Sequence, residues 1–106
     1  MGQGIELESL GNGRFLVSGA LTFGTANTAL SEGERLFEHF QELDLDLAHV
    51  DESDSAGLAV LIEWVSRAGR DGKEIRLRHV PQQLAALAVI SEVESLLPII
   101  EEEAEA

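Results

Sequence analysis

The residues best suited to chemistry are Asp54 and Ser55, an acid followed by a hydroxyl at a predicted strand-to-helix corner. As a nucleophile, Ser55 would need a base within hydrogen-bond reach, and no histidine in the sequence is an obvious partner. Either residue can instead accept hydrogen bonds from the free N–H groups that open a helix. Ser55 could also be a phosphorylation or contact position, where a phosphate would add a charge of about −1.5 to −2 beside existing carboxylates.

Other patterns that would support catalysis or metal binding are missing from the sequence. The chain has no cysteine, and its three histidines, His39, His49 and His79, lie on different predicted elements without metal-ligand spacing. The acids within residues 51–54 are not part of a glycine-punctuated calcium loop. No dinucleotide, phosphate-loop or nucleophile-elbow motif is present. We therefore expect no catalytic residue, no metal and no cofactor.

Length and charge restrict the class of protein further. The 106 residues are enough for one domain with a single core. The formal net charge of −13 disfavours binding to nucleic acid, whose affinity depends mostly on phosphate neutralisation. No apolar run approaches the roughly 20 residues that cross a bilayer, and the N-terminus does not resemble a signal peptide. The sequence predicts a cytoplasmic protein without direct membrane insertion.

Basic residues are concentrated in one part of the chain. Five of the seven fall between Arg67 and Arg78, which suggests one local basic edge. Such an edge is typical of a solvated face, where cations at a helix C-terminus and on an exposed strand are favourable. A docking patch is the alternative.

The helix that follows Ser55 is apolar on two sides. One stripe has the i, i+3, i+4, i+7 spacing of a core face and comprises Leu58, Leu61, Ile62, Val65 and Gly69. A second stripe comprises Ala56, Val60 and Trp64, followed by Arg67. A helix that is apolar on most of its circumference is buried on most of it. Because the chain is short, we expect another protein to cover the second stripe.

The remaining elements predict an α/β fold in one domain. Residues 5–10 and 14–19 form a β-hairpin around a Gly-containing turn. Two short helical pieces follow, at residues 25–30 and after a capping box that begins at Ser31, so this helix should be bent or broken. A central strand precedes Ser55, and a parallel strand and another helix come after Gly72. The prediction is a mixed four-stranded sheet with helices mainly on one face, in the order β-β-α-β-α-β-α. Residues 1–98 form the domain, and residues 99–106 form a flexible acidic tail.

This order, with Asp54-Ser55-Ala56-Gly57-Leu58 at the corner, resembles the STAS domain. The resemblance covers about residues 5–97 and extends to bacterial anti-sigma-factor antagonists, whose corner serine a partner kinase phosphorylates. It implies the same for Ser55. Residues 18–22, the broken helix and residues 84–98 are most similar to the MlaB-type STAS subunits of phospholipid-transport ABC systems. Those subunits often carry Thr where this chain has Ser55.

The resemblance implies a non-catalytic subunit that binds and supports the ATPase of such a transporter and helps maintain outer-membrane lipid asymmetry. It would lie peripheral to the inner membrane through that partner. The alternative is an anti-sigma-factor antagonist that binds a kinase until Ser55 is phosphorylated, and a homodimer is also possible. An enzyme or small-molecule binder has no supporting motif. Together with the predicted exposed face of the helix, the resemblance gives these partner-binding residues: Asp54, Ser55, Ala56, Gly57, Leu58, Ala59 and Ile62.

Overall fold

A computed structural model describes residues 4–100 of the chain. The elements are, in order, β1 (Ile5–Gly11), β2 (Arg14–Leu21), α1 (Ala26–Phe37), β3 (Glu42–Ser53), α2 (Ser55–Arg70), β4 (Glu74–Arg78), α3 (Gln82–Ile90), a 3-10 turn (Glu94–Leu96) and β5 (Ile99–Ile100). None of the helices within the described range has the length and apolar character that a bilayer crossing requires.

The strands form one sheet in which their spatial order is the same as their sequence order, β1-β2-β3-β4-β5. β1 and β2 pair antiparallel as a hairpin, and every other neighbouring pair is parallel. The predicted α/β class and the parallel pairing of the strands that flank α2 are confirmed. Because β2 and β3 are parallel neighbours, the loop after β2 and the corner after β3 meet at the same edge of the sheet.

The helices pack on one face of this sheet, as predicted. On β3, Leu43, Leu45 and Leu47 are buried in a core that they share with residues of all three helices. The residues between them, Asp44 and Asp46, are only partly buried and lie on the opposite face. The period-2 alternation of the strand therefore separates a helix-covered face from an open, charged face.

The sheet has five strands, and the predicted count of four was wrong. Ile99 and Ile100 pair in parallel with the end of β4, and the Leu77 N–H donates to the carbonyl of Pro98 at 3.0 Å. A strand of two residues has no periodicity to detect, and Pro98 lacks an N–H of its own. Of the predicted tail, residues 101–106 lie outside the described part of the chain.

α1 is a single helix, which corrects the expectation of two pieces with a new start at Ser31. Ser31 is an exposed residue in the middle of the helix. Ala29, Gly33 and Phe37 are buried at four-residue spacing, so one continuous stripe faces the core. This packing outweighs the local capping signal at Ser31, since tertiary contacts supply most of the stability of a helix in a protein.

Most of the second apolar stripe of α2 is covered by the chain itself, so the expectation that another protein covers this stripe was wrong for Val60 and Trp64. Ala56, at its start, is half-buried. Val60 is buried, and only 2% of Trp64 is exposed. The Trp64 ring meets Phe37 edge-on, with ring centroids 5.4 Å apart. A Cβ atom on Gly33 would lie only 2.5 Å from the Trp64 Nε1 atom, so this glycine lets α1 approach the indole closely.

Burial of the second stripe turns part of the predicted core face of α2 outward. Leu58 and Leu61 are buried as expected. The later members of that stripe are half-buried or, at the last position, exposed: Ile62, Val65 and Gly69. The sequence pattern located both apolar stripes. It did not predict which of the two is more deeply buried, because that depends on where α1 packs.

Candidate functional site

The corner between β3 and α2 is built on the side chain of Asp54. Asp54 has an extended backbone, and its Oδ1 atom accepts hydrogen bonds from the Ala56 N–H at 2.9 Å and the Gly57 N–H at 3.1 Å. These bonds satisfy two of the donors that a helix start leaves free. Asp54 is therefore the N-cap, and Ser55 is the first residue of the helix, with an exposed side chain.

The same carboxylate also fixes the loop that follows β2. Its Oδ2 atom accepts a hydrogen bond from the Phe23 N–H at 3.1 Å. Within the loop, the Thr25 hydroxyl donates to the Ala20 carbonyl at 2.7 Å and accepts from the Thr22 N–H at 3.0 Å. Asp54 and Thr25 together hold the loop and the helix start as one unit.

Gly57 is needed because the first turn of α2 touches the end of β2. A Cβ atom at this position would overlap the backbone carbonyl of Leu21. The glycine in the corner motif thus has a packing reason, since any side chain would push the helix away from the sheet.

The residues predicted to contact a partner divide into buried and accessible ones. Gly57 is buried, and Leu58 is only 5% exposed, so both belong to the core. Ser55 and Ala59 are exposed, while Ala56 and Ile62 are half-buried. Residues 55, 59 and 62 follow one another at helical spacing, so they form an accessible stripe along α2. We call this stripe, with Ala56 beside it, the α2 docking stripe.

One prominent residue at this edge is absent from the sequence-based set. Phe23 is 84% exposed, more than any other large apolar side chain in residues 4–100. It lies in the loop that Asp54 holds beside the start of α2. No periodic pattern marks it, because the loop is neither helix nor strand and its place depends on a residue 31 positions away.

Negative charge borders the corner. Asp51 and Glu52 at the end of β3 are exposed, and Glu52 pairs in register with Ala20 of β2. Among the described residues no three His, Asp or Glu side chains come together as a metal site. Asp54 is committed to three backbone N–H groups, so it is not positioned to take a proton from Ser55.

The basic residues do not form the single edge that their sequence positions suggested. Arg67, Arg70 and Lys73 line a cleft of about 670 Å³ between the C-terminal ends of α1 and α2. Arg76 and Arg78 lie on the open face of the sheet, where the Arg78 Nε atom is 2.8 Å from Asp44 Oδ1. The cleft residues are engaged as well, since Lys73 Nζ donates to three backbone carbonyls and Arg67 bonds Glu63.

The open face also carries the contact between Asp46 and His79. The His79 Nδ1 atom lies 2.8 Å from Asp46 Oδ1. Partial burial raises the pKa of Asp46, but the hydrogen bonds from His79 and the Ala48 N–H, with the charges of His79 and His49, outweigh burial. As a result the pKa of Asp46 is lowered from its usual value of 3.8. This contact joins β3 to the residue that follows β4 and is separate from the corner at Asp54.

The fold is similar to solved structures of bacterial regulators and of a transporter domain. The anti-sigma-factor antagonist SpoIIAA matches in its unphosphorylated form with a TM-score of 0.70 and 10% identity, over 94% of this chain and 89% of that one. The phosphorylated form of SpoIIAA from Bacillus matches with a TM-score of 0.69 and 9% identity, over 94% of this chain and 92% of that one. The murine anion transporter Slc26a9 gives 0.62 and 17%, over 90% of this chain and 17% of the transporter. At these identities the likeness concerns the fold.

Sequence comparison identifies the family. No curated protein matches the sequence significantly. The family model described as MlaB, STAS domain, matches residues 9–98, which include the end of β1, all of β2, the corner at Asp54 and all three helices. The chain therefore belongs to the MlaB-type STAS domain family.

Proposed function

We propose that this protein is a non-catalytic subunit of a phospholipid-transporting ABC complex and that it docks on the ATPase through the α2 docking stripe. The observation that carries the proposal is the surface formed by the exposed residues Ser55 and Ala59 at the N-terminus of α2, in a chain of the MlaB-type family. The complex would hold it at the cytoplasmic side of the inner membrane. Its role there is to support the ATPase and so help maintain outer-membrane lipid asymmetry.

The shape of the stripe supports docking of a protein surface. Ser55 and Ala59 are small and exposed, so a partner can approach the helix backbone closely. The stripe begins at a helix start whose position is fixed by Asp54 and Gly57. A preorganised surface loses little conformational entropy on binding, which favours affinity.

Co-purification with the ATPase tests the proposal. Tagged wild-type protein should retain the ABC ATPase from its own cells, and Ser55→Arg should reduce the retained amount at least tenfold. The reason is that an unpaired charge buried in an interface is strongly unfavourable. Ser31→Arg is the matched control, because Ser31 is also an exposed helical serine but lies on α1. Equal retention by wild type and Ser55→Arg would contradict the proposal.

A second function is favoured by the similarity to SpoIIAA and by the type of residue at the corner. Ser55 is an exposed serine. SpoIIAA, which has a similar fold, has been solved in a phosphorylated form. In this alternative the protein is an anti-sigma-factor antagonist. Phosphate on Ser55 would add about −1.5 to −2 charges beside Asp54 and release the partner kinase. Ser55→Asp should then abolish kinase binding and Ser55→Ala should preserve it. The mass of the Ser55 peptide from cells distinguishes the two functions directly.

A further inference from the structure

Phe23 is an unusual residue to find on the surface. An aromatic side chain can bury about 150–250 Å² when it packs, and leaving it in water forgoes that stabilisation. Phe23 is nevertheless 84% exposed and lies beside the α2 docking stripe, to which Asp54 connects its loop. Large apolar side chains exposed next to an interaction surface commonly belong to that surface.

The backbone that carries Phe23 is fixed although its side chain is free in solvent. The Phe23 N–H is bonded to Asp54, and the neighbouring Thr25 is buried and bonded to both Ala20 and Thr22. An aromatic side chain on such a loop has only two torsions to order when it binds. Little entropy is therefore lost on contact, which is the condition for an energetically dominant interface residue.

The surroundings of Phe23 specify the chemistry of the surface that would receive it. Asp51 and Glu52 are exposed, and the parallel register of β2 and β3 places Glu52 opposite Ala20, three residues before Phe23. The chain as a whole carries a formal charge of −13. A second copy of the chain or an anionic lipid surface would bring like charges together at this edge, which is unfavourable.

We propose that Phe23 is the anchor of the docking surface and that the ATPase receives it in an apolar pocket bordered by Lys or Arg side chains facing Asp51 and Glu52. This inference rests on the proposed function and adds to it the residue that provides most of the affinity. It also adds an electrostatic component that Ser55 and Ala59, being uncharged, do not supply.

The experiment measures binding of the purified chain to the ATPase subunit that co-purifies with it. Phe23→Ala should weaken binding at least 20-fold. Ile90→Ala is the matched control and should stay within twofold, because Ile90 is similarly exposed, at 77%, but lies at the end of α3. Both variants should unfold at the wild-type denaturant concentration, since neither side chain belongs to the core. Binding by Phe23→Ala within twofold of wild type would overturn the proposal.

A charge-reversed variant tests the predicted rim. Asp51→Lys combined with Glu52→Lys should slow association at least tenfold at low salt, because the two reversed charges repel the basic rim. The association rate of wild type should fall as salt is added, and that of the variant should not. A wild-type association rate that does not change with salt would contradict the basic rim. A dimer of the free chain that Phe23→Ala dissociates, without change in ATPase binding, would assign Phe23 to a second copy and refute the proposal.

The outcomes separate this inference from the function on which it rests. If wild type binds no ATPase, the proposed function fails. If wild type binds and Ser55→Arg does not, but Phe23→Ala binds normally, the docking stripe is supported and the anchor is refuted.

Discussion

The carboxylate of Asp54 lies 3.1 Å from the backbone N–H of Phe23, a residue 31 positions earlier in the chain. Its other oxygen caps α2 through the N–H groups of Ala56 and Gly57. One side chain thus fixes both the helix start and the neighbouring loop, the two parts of the surface to which we assign partner binding.

Replacing this carboxylate should destabilise the protein. We expect Asp54→Ala to lower the free energy of unfolding by about 1–3 kcal/mol, because a helix cap and a loop hydrogen bond are lost together. Urea denaturation followed by circular dichroism measures the change. Asp54→Asn is the matched control: it keeps an acceptor oxygen for the cap and should lose clearly less. Equal losses would show that the cap bonds to the Ala56 and Gly57 N–H groups are not the source of the stability.

Two glycines of α2 should respond oppositely to the same substitution. Gly57→Ala should cost about 2 kcal/mol or more, since its Cβ would overlap the Leu21 carbonyl and shift the helix. Gly69→Ala should stabilise the protein by about 0.5–1 kcal/mol, because Gly69 is exposed and has open space around it. Thermal unfolding of the two variants tests this contrast, which a shared sign would contradict.

The continuity of α1 can be checked with two neighbouring substitutions. Ser31→Ala should change stability by no more than about 0.5 kcal/mol, whereas loss of a true N-cap would cost about 1 kcal/mol. Gly33→Ala should be destabilising despite the better helix propensity of alanine, because its Cβ would crowd the Trp64 ring. Denaturation midpoints give both values. A loss of about 1 kcal/mol or more in Ser31→Ala would instead indicate that a helix begins at Ser31.

Acid stability should depend on the Asp46–His79 contact. Because the pKa of Asp46 is lowered in the folded protein, its contribution is fully present above the usual value of 3.8 and is lost as the pH falls through the lower, folded pKa. The Asp46→Asn variant should therefore be less stable than wild type at neutral pH. The difference between their free energies of unfolding should shrink as the pH falls below about 3.8, because wild type then loses the contribution of Asp46. Urea denaturation from pH 6 to pH 2.5 measures that gap.

A second variant tests whether His79 causes this effect. His79→Asn removes the imidazole, and Asn tolerates the left-handed backbone that His79 adopts at φ 55°. The difference in the free energy of unfolding between His79→Asn and wild type should change over the same acid range. The combined variant should show less than the sum of the two single effects, since the residues share one interaction. Full additivity would argue against the coupling.

Local sequence signals were sufficient for most of the fold. The hairpin, the order of helices and strands and the corner motif at Asp54-Ser55 could be predicted because turn residues and apolar spacing act within a few positions. The motif also identified Gly57, for which the structure supplies the reason in the Leu21 carbonyl.

The features that the sequence did not predict depend on distant contacts. Which side of α2 faces solvent depends on the packing of α1 against it. α1 can approach Trp64 only because Gly33 has no side chain. Phe23 is presented at the corner by a hydrogen bond to Asp54, which no local pattern encodes. Leu58 fits the apolar spacing of a core residue and is one, although the motif also suggested it as a contact.

The position of Trp64 allows its fluorescence to be used to monitor the packing of α1 against α2. It is the single tryptophan of the chain, buried between α1 and α2 against Phe37. It lies nine positions after Ser55, about 14 Å along the helix axis. Its fluorescence emission should therefore shift to longer wavelength when α1 separates from α2, and should not respond to docking at the corner. A surface variant that loses its partner but keeps the wild-type emission spectrum has lost an interface and kept its core.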